Sequence, residues 1–122
     1  MLKVKESLAK AERNKNFISQ KLVYMIDTYS DWITVVAFYS ALHFVDAYLL
    51  KHHGIQREHH EERERDVAIY MADIYPAYKR LFEMGFRGRY SSIEDSPTLD
   101  EAKSAIEHEL PKVEEYVKQQ MS

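Results

Sequence analysis

The sequence predicts an all-α protein, an up-and-down bundle of four to five helices folded as a single domain over residues 1–122. Three observations carry this. Three glycines and three prolines are too few turn formers for an all-β fold. At 45% hydrophobic and 30% charged residues, the chain is too apolar for disorder and of a size for one core. Apolar residues also recur at three-and-four spacing, the period of a helix buried along one side.

The first helix is expected over about 3–28, where Leu8, Ala11, Ile18, Leu22, Met25 and Tyr29 share a face interrupted only by Lys15. A helix of about 26 residues would extend roughly 39 Å. Its charged residues, from Lys3 and Lys5 to Arg13, leave no continuous apolar segment, so no secretory leader is expected. Without cysteine, disulfides, thiol catalysis and thiolate metal sites are excluded, and a reducing, cytoplasmic setting is expected. A net charge of −3 gives no globally basic surface, so any nucleic-acid contact must be local.

The polar break at Thr28 to Asp31 offers Ser30 or Asp31 as the cap of a second helix running to about His53. From Trp32 to Leu50, 15 of 19 residues are apolar; the exceptions are Thr34, Ser40, His43 and Asp46. Such a length could span a membrane, but an ionisable Asp46 near the lipid centre is costly, so the segment reads as a buried core helix with no membrane partner. A helix apolar nearly all round needs cover on nearly all sides. A homodimer formed through the Trp32 to His53 helix is therefore expected. Gly54 fits the left-handed position just past its end, with Lys51, His52 and His53 suiting the negative end of the dipole.

A third helix is expected from about Glu58, with Val67, Tyr70, Met71 and Ile74 on its apolar stripe and an interruption at Pro76. A fourth segment carries Tyr78, Leu81 and Phe82, with Phe86 as a further candidate, and ends in Gly85 and Gly88 before a loop over residues 91–96. Pro97 or Thr98 opens the last helix, where Thr98 and Glu101 have capping-box spacing. Its stripe of Leu99, Ala102, Ile106, Leu110, Val113 and Val117 continues through Pro111, which predicts a kink there.

On a helical wheel, Tyr39, His43, Asp46, Leu50 and His53 fall within an arc of about 80°, so the polar exceptions of the second helix form one stripe. The short link after Gly54 predicts antiparallel packing of the third helix, with His60 beside the Leu49 to His53 turn and Arg63 beside Asp46 or Leu50. The expected cluster is Tyr39, His43, Asp46, His53, His60 and Arg63. In one reading Asp46 orients Arg63 or a histidine, and the imidazoles serve as acid, base or phosphate ligands. In the other an Asp–Arg pair with its histidines binds two helices together. His52, His53, His59 and His60 lie close in sequence, but adjacent histidines diverge by about 100° and no H-x3-H pair exists, so no metal and no cofactor are expected. Between Lys79 and Tyr90, Lys79, Arg80, Arg87 and Arg89 face only Glu83, next to Phe86 and Tyr90. Cations among aromatics on the expected Arg87 to Tyr90 loop suit phosphates and bases. No phosphate-binding glycine loop, serine elbow or zinc-protease helix is present.

Asp31-Trp32, then Ala37-Phe38-Tyr39-Ser40-Ala41-Leu42-His43, Ala47-Tyr48-Leu49-Leu50, a third helix bearing His and Arg, and Arg89-Tyr90 together resemble the HEPN superfamily over about Asp31 to Tyr90. The resemblance implies a short dimerising bundle of four or five helices. Many such proteins are metal-independent ribonucleases of defence or toxin systems, and others have lost catalysis and bind. Active members carry Arg, four to six residues, then His at the start of the third helix, paired across the dimer. Here no arginine has a histidine at that spacing; Arg57 meets His59 and His60 too soon. The nearest substitute is His60-x-x-Arg63, with His60 as general base on a ribose 2′-OH and Arg63 stabilising the phosphorane charge. The expectation is a cytoplasmic, non-catalytic HEPN-like homodimer that binds RNA, a nucleotide or a partner protein through Tyr39, His43, Asp46, His53, Arg87, Arg89 and Tyr90. The alternatives are a divergent ribonuclease using His60 and Arg63, and a structural or antitoxin-like interaction module.

Overall fold

The computed structural model describes residues 2–121 as an all-α bundle. Its helices are α1 (Leu2–Gln20), α2 (Ser30–His53), α3 (His60–Tyr70), α4 (Tyr75–Tyr90), α5 (Leu99–Ser104) and α6 (Leu110–Met121). The apolar α2 is the axis of the bundle. Its Ile33, Phe44, Val45 and Leu49 are fully or almost fully buried, each worth about 1.5–3 kcal/mol.

Side-chain contacts fix the directions. The Ser40 hydroxyl donates to the Ala11 carbonyl at 2.8 Å, setting α1 against α2. Lys15 bonds Glu114 at 2.7 Å and Lys118 bonds Glu12 at 2.7 Å, so α6 runs antiparallel to α1. Lys51 donates to the Met121 carbonyl at 2.7 Å, which brings the ends of α2 and α6 together. With Gly88 of α4 against Asp31 and Gly85 against Phe38, the four long helices α1, α2, α4 and α6 alternate in direction.

The chain itself covers most of α2. The helix is long and apolar enough to cross a membrane by length and composition, and 72% of that apolar window is buried in the fold. What stays open is one stripe, Trp32, Val36, Tyr39, His43, Asp46 and Leu50, lying between α1 on one side and α3 and α4 on the other. The need for a second copy to cover the helix therefore shrinks to this stripe.

Several element boundaries differ from those expected. The first helix stops at Gln20 and not near residue 28; a 3-10 turn over Leu22–Met25 follows, placing Leu22 in the core and Ile26 against it. Neither Ser30 nor Asp31 caps α2: Tyr29 holds that position without a side-chain bond, and the Ser30 hydroxyl donates to the Pro97 carbonyl at 3.1 Å. Gly54 does adopt the left-handed conformation (φ 65°), and its N–H returns to the Leu50 carbonyl.

α3 begins at His60, not Glu58, and is not antiparallel to α2. The His60 ring lies 5.7 Å from Phe38, whereas Tyr70 stacks on His53 at 4.0 Å, so α3 runs in the same sense as α2. Residues 54–59 make this possible by climbing back along α2 in extended form, with His59 still at φ −108°, ψ 137°.

Pro76 does not interrupt a helix; it sits in the first turn of α4, where its missing N–H costs nothing. α4 then passes through Gly85 and Gly88 to Tyr90 instead of ending at them. A Cβ at Gly88 would lie 2.7 Å from the Asp31 carbonyl oxygen, and one at Gly85 2.9 Å from Phe38 Cβ, so the glycines let α4 approach the first half of α2. Thr98 and Glu101 form the reciprocal capping box of α5. Ahead of Pro111 the helix widens into a π turn over Ala105–Glu109, which accommodates the proline ring where a continuous α-helix would clash.

Candidate functional site

The expected polar cluster divides into a buried knot and an open groove. In the knot Arg63, with its side chain 6% exposed, donates from Nε to one Asp46 oxygen at 2.7 Å and from a terminal nitrogen to the other at 3.2 Å. It also donates to the Arg57 carbonyl at 2.8 Å. Arg57 reaches Asp66 at 2.7 Å and Glu62 at 3.2 Å, tying the 54–59 segment to α3. Arg63 is therefore committed to Asp46 and not free for a substrate. Arg57 and Asp66 escaped the sequence reading because a loop residue's partner depends on where the loop turns back.

The groove, of about 210 Å³, lies between α2, α4 and the start of α3. Phe82, Phe86 and Tyr90 recur every four residues along α4, and the Phe38, Phe82, Phe86 and Tyr90 rings follow one another at 5.4, 6.3 and 5.0 Å. Phe86 and Tyr90 are 56% and 64% exposed, unusual for rings on a helix whose other side is core. Arg89 projects beside them, donating to the Tyr39 hydroxyl at 2.6 Å and lying 5.3 Å from the Tyr90 ring centre. Among the described residues no carboxylate pairs with Arg89.

His60 joins the two parts. Its ring packs on Phe38 and on Phe82 at 5.6 Å, and an Arg63 N–H points at its Nδ1 at 3.4 Å. Because arginine only donates, Nδ1 is the acceptor and the proton of the neutral ring sits on Nε2. Burial, then Arg63 and Arg89, hold the ring's pKa below its ordinary value, so it is neutral near pH 7. His43 is held down as well, first by burial and then by Lys10, Arg63 and Arg13, against the opposing pull of Asp46.

The remaining expected residues lie elsewhere. His53 stacks on Tyr70, out of the cluster. Arg87 ion-pairs with Glu101 at the start of α5, and it and Arg89 stand on a helix, not a loop. His52 bonds the Gln120 carbonyl at 2.8 Å. Among the described residues no group of three or more histidines and carboxylates gathers as a metal site. The aromatic ladder was present in the sequence as four-residue spacing, but Phe82 read as core while Phe86 and Tyr90 were placed beside the cations of an expected loop, because a helix end was placed at Gly85 and Gly88.

The chain matches no family model, no curated protein and no solved structure.

Proposed function

We propose that this chain is a HEPN-like bundle that binds single-stranded RNA or a nucleotide in the α2–α4 groove without cleaving it. The observation that carries the reading is Arg89, a cation with no carboxylate partner among the described residues, held by Tyr39 beside an exposed aromatic ladder. Exposed rings stack bases of any sequence, and an unpaired guanidinium takes a phosphate oxygen. His60 adds an Nε2–H donor at the groove wall, and the Tyr39 hydroxyl, while accepting from Arg89, keeps its own proton to donate.

Anisotropy of a labelled oligouridine tests this. Arg89→Ala and Phe86→Ala should each weaken binding at least about fivefold, as loss of a charge-assisted bond or a stacked base would. Absence of wild-type binding up to about 100 µM RNA in low salt would remove the reading, since even non-specific complexes fall below that.

The ribonuclease reading is disfavoured by two observations: Arg63 is consumed by Asp46, and the His60 Nε2 that would act as base already carries a proton. Metal-free incubation with labelled RNA distinguishes the two. Cleavage abolished by His60→Ala and Arg63→Ala would replace binding with catalysis. The structural-module reading is supported by the Asp46–Arg63 pair, though not by the open Arg89.

A further inference from the structure

Four side chains bring polar atoms to the lining of the α2–α4 groove: Tyr39, His60, Arg89 and Tyr90. The rest of the wall is phenyl ring and glycine. Arg89 can only donate. The His60 Nδ1 accepts from Arg63, so Nε2 carries the ring proton, and Nε2 has no hydrogen-bond partner among the described residues. The Tyr39 hydroxyl accepts from Arg89 at 2.6 Å and is left with its own proton to offer. The Tyr90 hydroxyl alone is uncommitted in both senses. No carboxylate and no side-chain amide lines the groove among the described residues. An occupant therefore meets donors and almost no acceptors.

We propose that the groove selects keto bases over amino bases, uracil over cytosine, with the His60 Nε2–H donating to the oxygen at the 4 position of the ring. This rests on the groove reading above. His60 is fixed beside Phe82, the inner end of the aromatic ladder, at 5.6 Å, and Arg89 stands beside Tyr90, its outer end, at 5.3 Å. A nucleotide lying along the ladder thus has a donor at each end, the guanidinium for its phosphate and the imidazole for its base. The cavity of about 210 Å³ equals a cube of about 6 Å edge, so a base seated in it lies within hydrogen-bond reach of the walls. Uracil presents a carbonyl oxygen where cytosine presents an amino group. Cytosine would set N–H against N–H and leave both unpaired in an apolar cleft, which a site built to donate rejects. The rings of the ladder stack either base and do not discriminate. The choice falls to His60.

Affinities of the wild-type chain, of His60→Phe and of His60→Gln for a uridine octamer and a cytidine octamer test the selection, at pH 8 where an imidazole is neutral. Circular dichroism confirms that the variants fold. The wild type should bind the uridine octamer at least about fivefold tighter than the cytidine octamer, the worth of one neutral hydrogen bond. His60→Phe keeps a ring against Phe38 and Phe82 but offers no donor, and should bring the uridine octamer down to the affinity of the cytidine octamer. His60→Gln, whose amide both donates and accepts, should hold the uridine octamer and raise the cytidine octamer to match it. Equal affinity of the wild type for the two octamers overturns the selection and leaves the groove standing. A uridine preference that survives in His60→Phe also overturns it, since strand flexibility and not His60 would then set the preference. No binding of either octamer removes both the selection and the groove.

Discussion

Arg63 and Asp46 are locked together by two N–H to carboxylate bonds of 2.7 and 3.2 Å between α3 and α2, with the arginine buried and the carboxylate three-quarters covered. Removing one partner strands a buried charge, which costs more than the pair contributes. Asp46→Ala should therefore lower stability by about 3 kcal/mol, read as the urea midpoint. Asp46→Leu combined with Arg63→Met should recover most of it, because two apolar groups need no partner. If Asp46→Ala unfolds at the wild-type midpoint, the pair does not hold α3.

Gly88 and the Asp31 carbonyl define the closest approach of α4 to α2. Alanine there gains about 1 kcal/mol of helix propensity, but its Cβ would sit 2.7 Å from that oxygen and 2.8 Å from Thr34 Oγ1. Overpacking of this kind costs about 1–3 kcal/mol. Since the oxygen is backbone and the Thr34 hydroxyl is bonded to the Asp31 and Met84 carbonyls, little can yield. Gly88→Ala should be destabilising despite its propensity gain, and the displaced α4 should weaken RNA binding through Arg89. A variant as stable as wild type would mean that α4 moves away freely.

The same glycine shows what could be read from the sequence and what could not. Helix identity, the Gly54 terminus and the Thr98–Glu101 cap follow from local pattern, and so does the α2 stripe from Tyr39 to Leu50, though His53 leaves it to stack on Tyr70. Gly85 and Gly88 read as breakers because their role is tertiary: they are small where another backbone passes. The sense of α3 was missed because six linking residues can either turn tightly or climb back along α2, and only the Arg63–Asp46 and His60–Phe38 contacts decide between them. The site was half legible, since Arg89 and Tyr90 stood out by charge and ring. The bond from Arg89 to Tyr39 spans fifty positions.

Tyr78 is fully buried, and its hydroxyl has no hydrogen-bond partner among the described residues. Burial pushes its pKa up, so the group is a neutral phenol at any working pH. A buried hydroxyl without a partner costs its desolvation and returns nothing. Tyr78→Phe keeps the ring, 5.8 Å from Phe38, and removes the cost. Stability should rise by about 1 kcal/mol, or roughly 3–5 °C in Tm by calorimetry. A fall in Tm would show that the hydroxyl is bonded through a buried water.

Stability and RNA binding should respond to acid in opposite directions. His43 and His60 have folded pKa values below the unfolded value of about 6.5. Between those values the unfolded chain holds more protons, so stability is complete above about pH 7 and declines as pH falls through about 6.5 toward the folded values. Glu101, held down first by Arg87, and Glu114, where Lys118 and Lys15 outweigh the larger upward push of burial, also have lowered values. Their contribution is present above the unfolded value of about 4.3 and is lost below it. Two-stage acid destabilisation follows, and His43→Gln/His60→Gln should abolish only the upper stage. In the bound state the sign reverses, because protonated His60 adds charge in the groove that Arg89 also lines. Affinity for oligouridine should rise between pH 7.5 and about 6 in the wild type and stay flat in the double variant. Affinity that falls on mild acidification would place the phosphates away from His60.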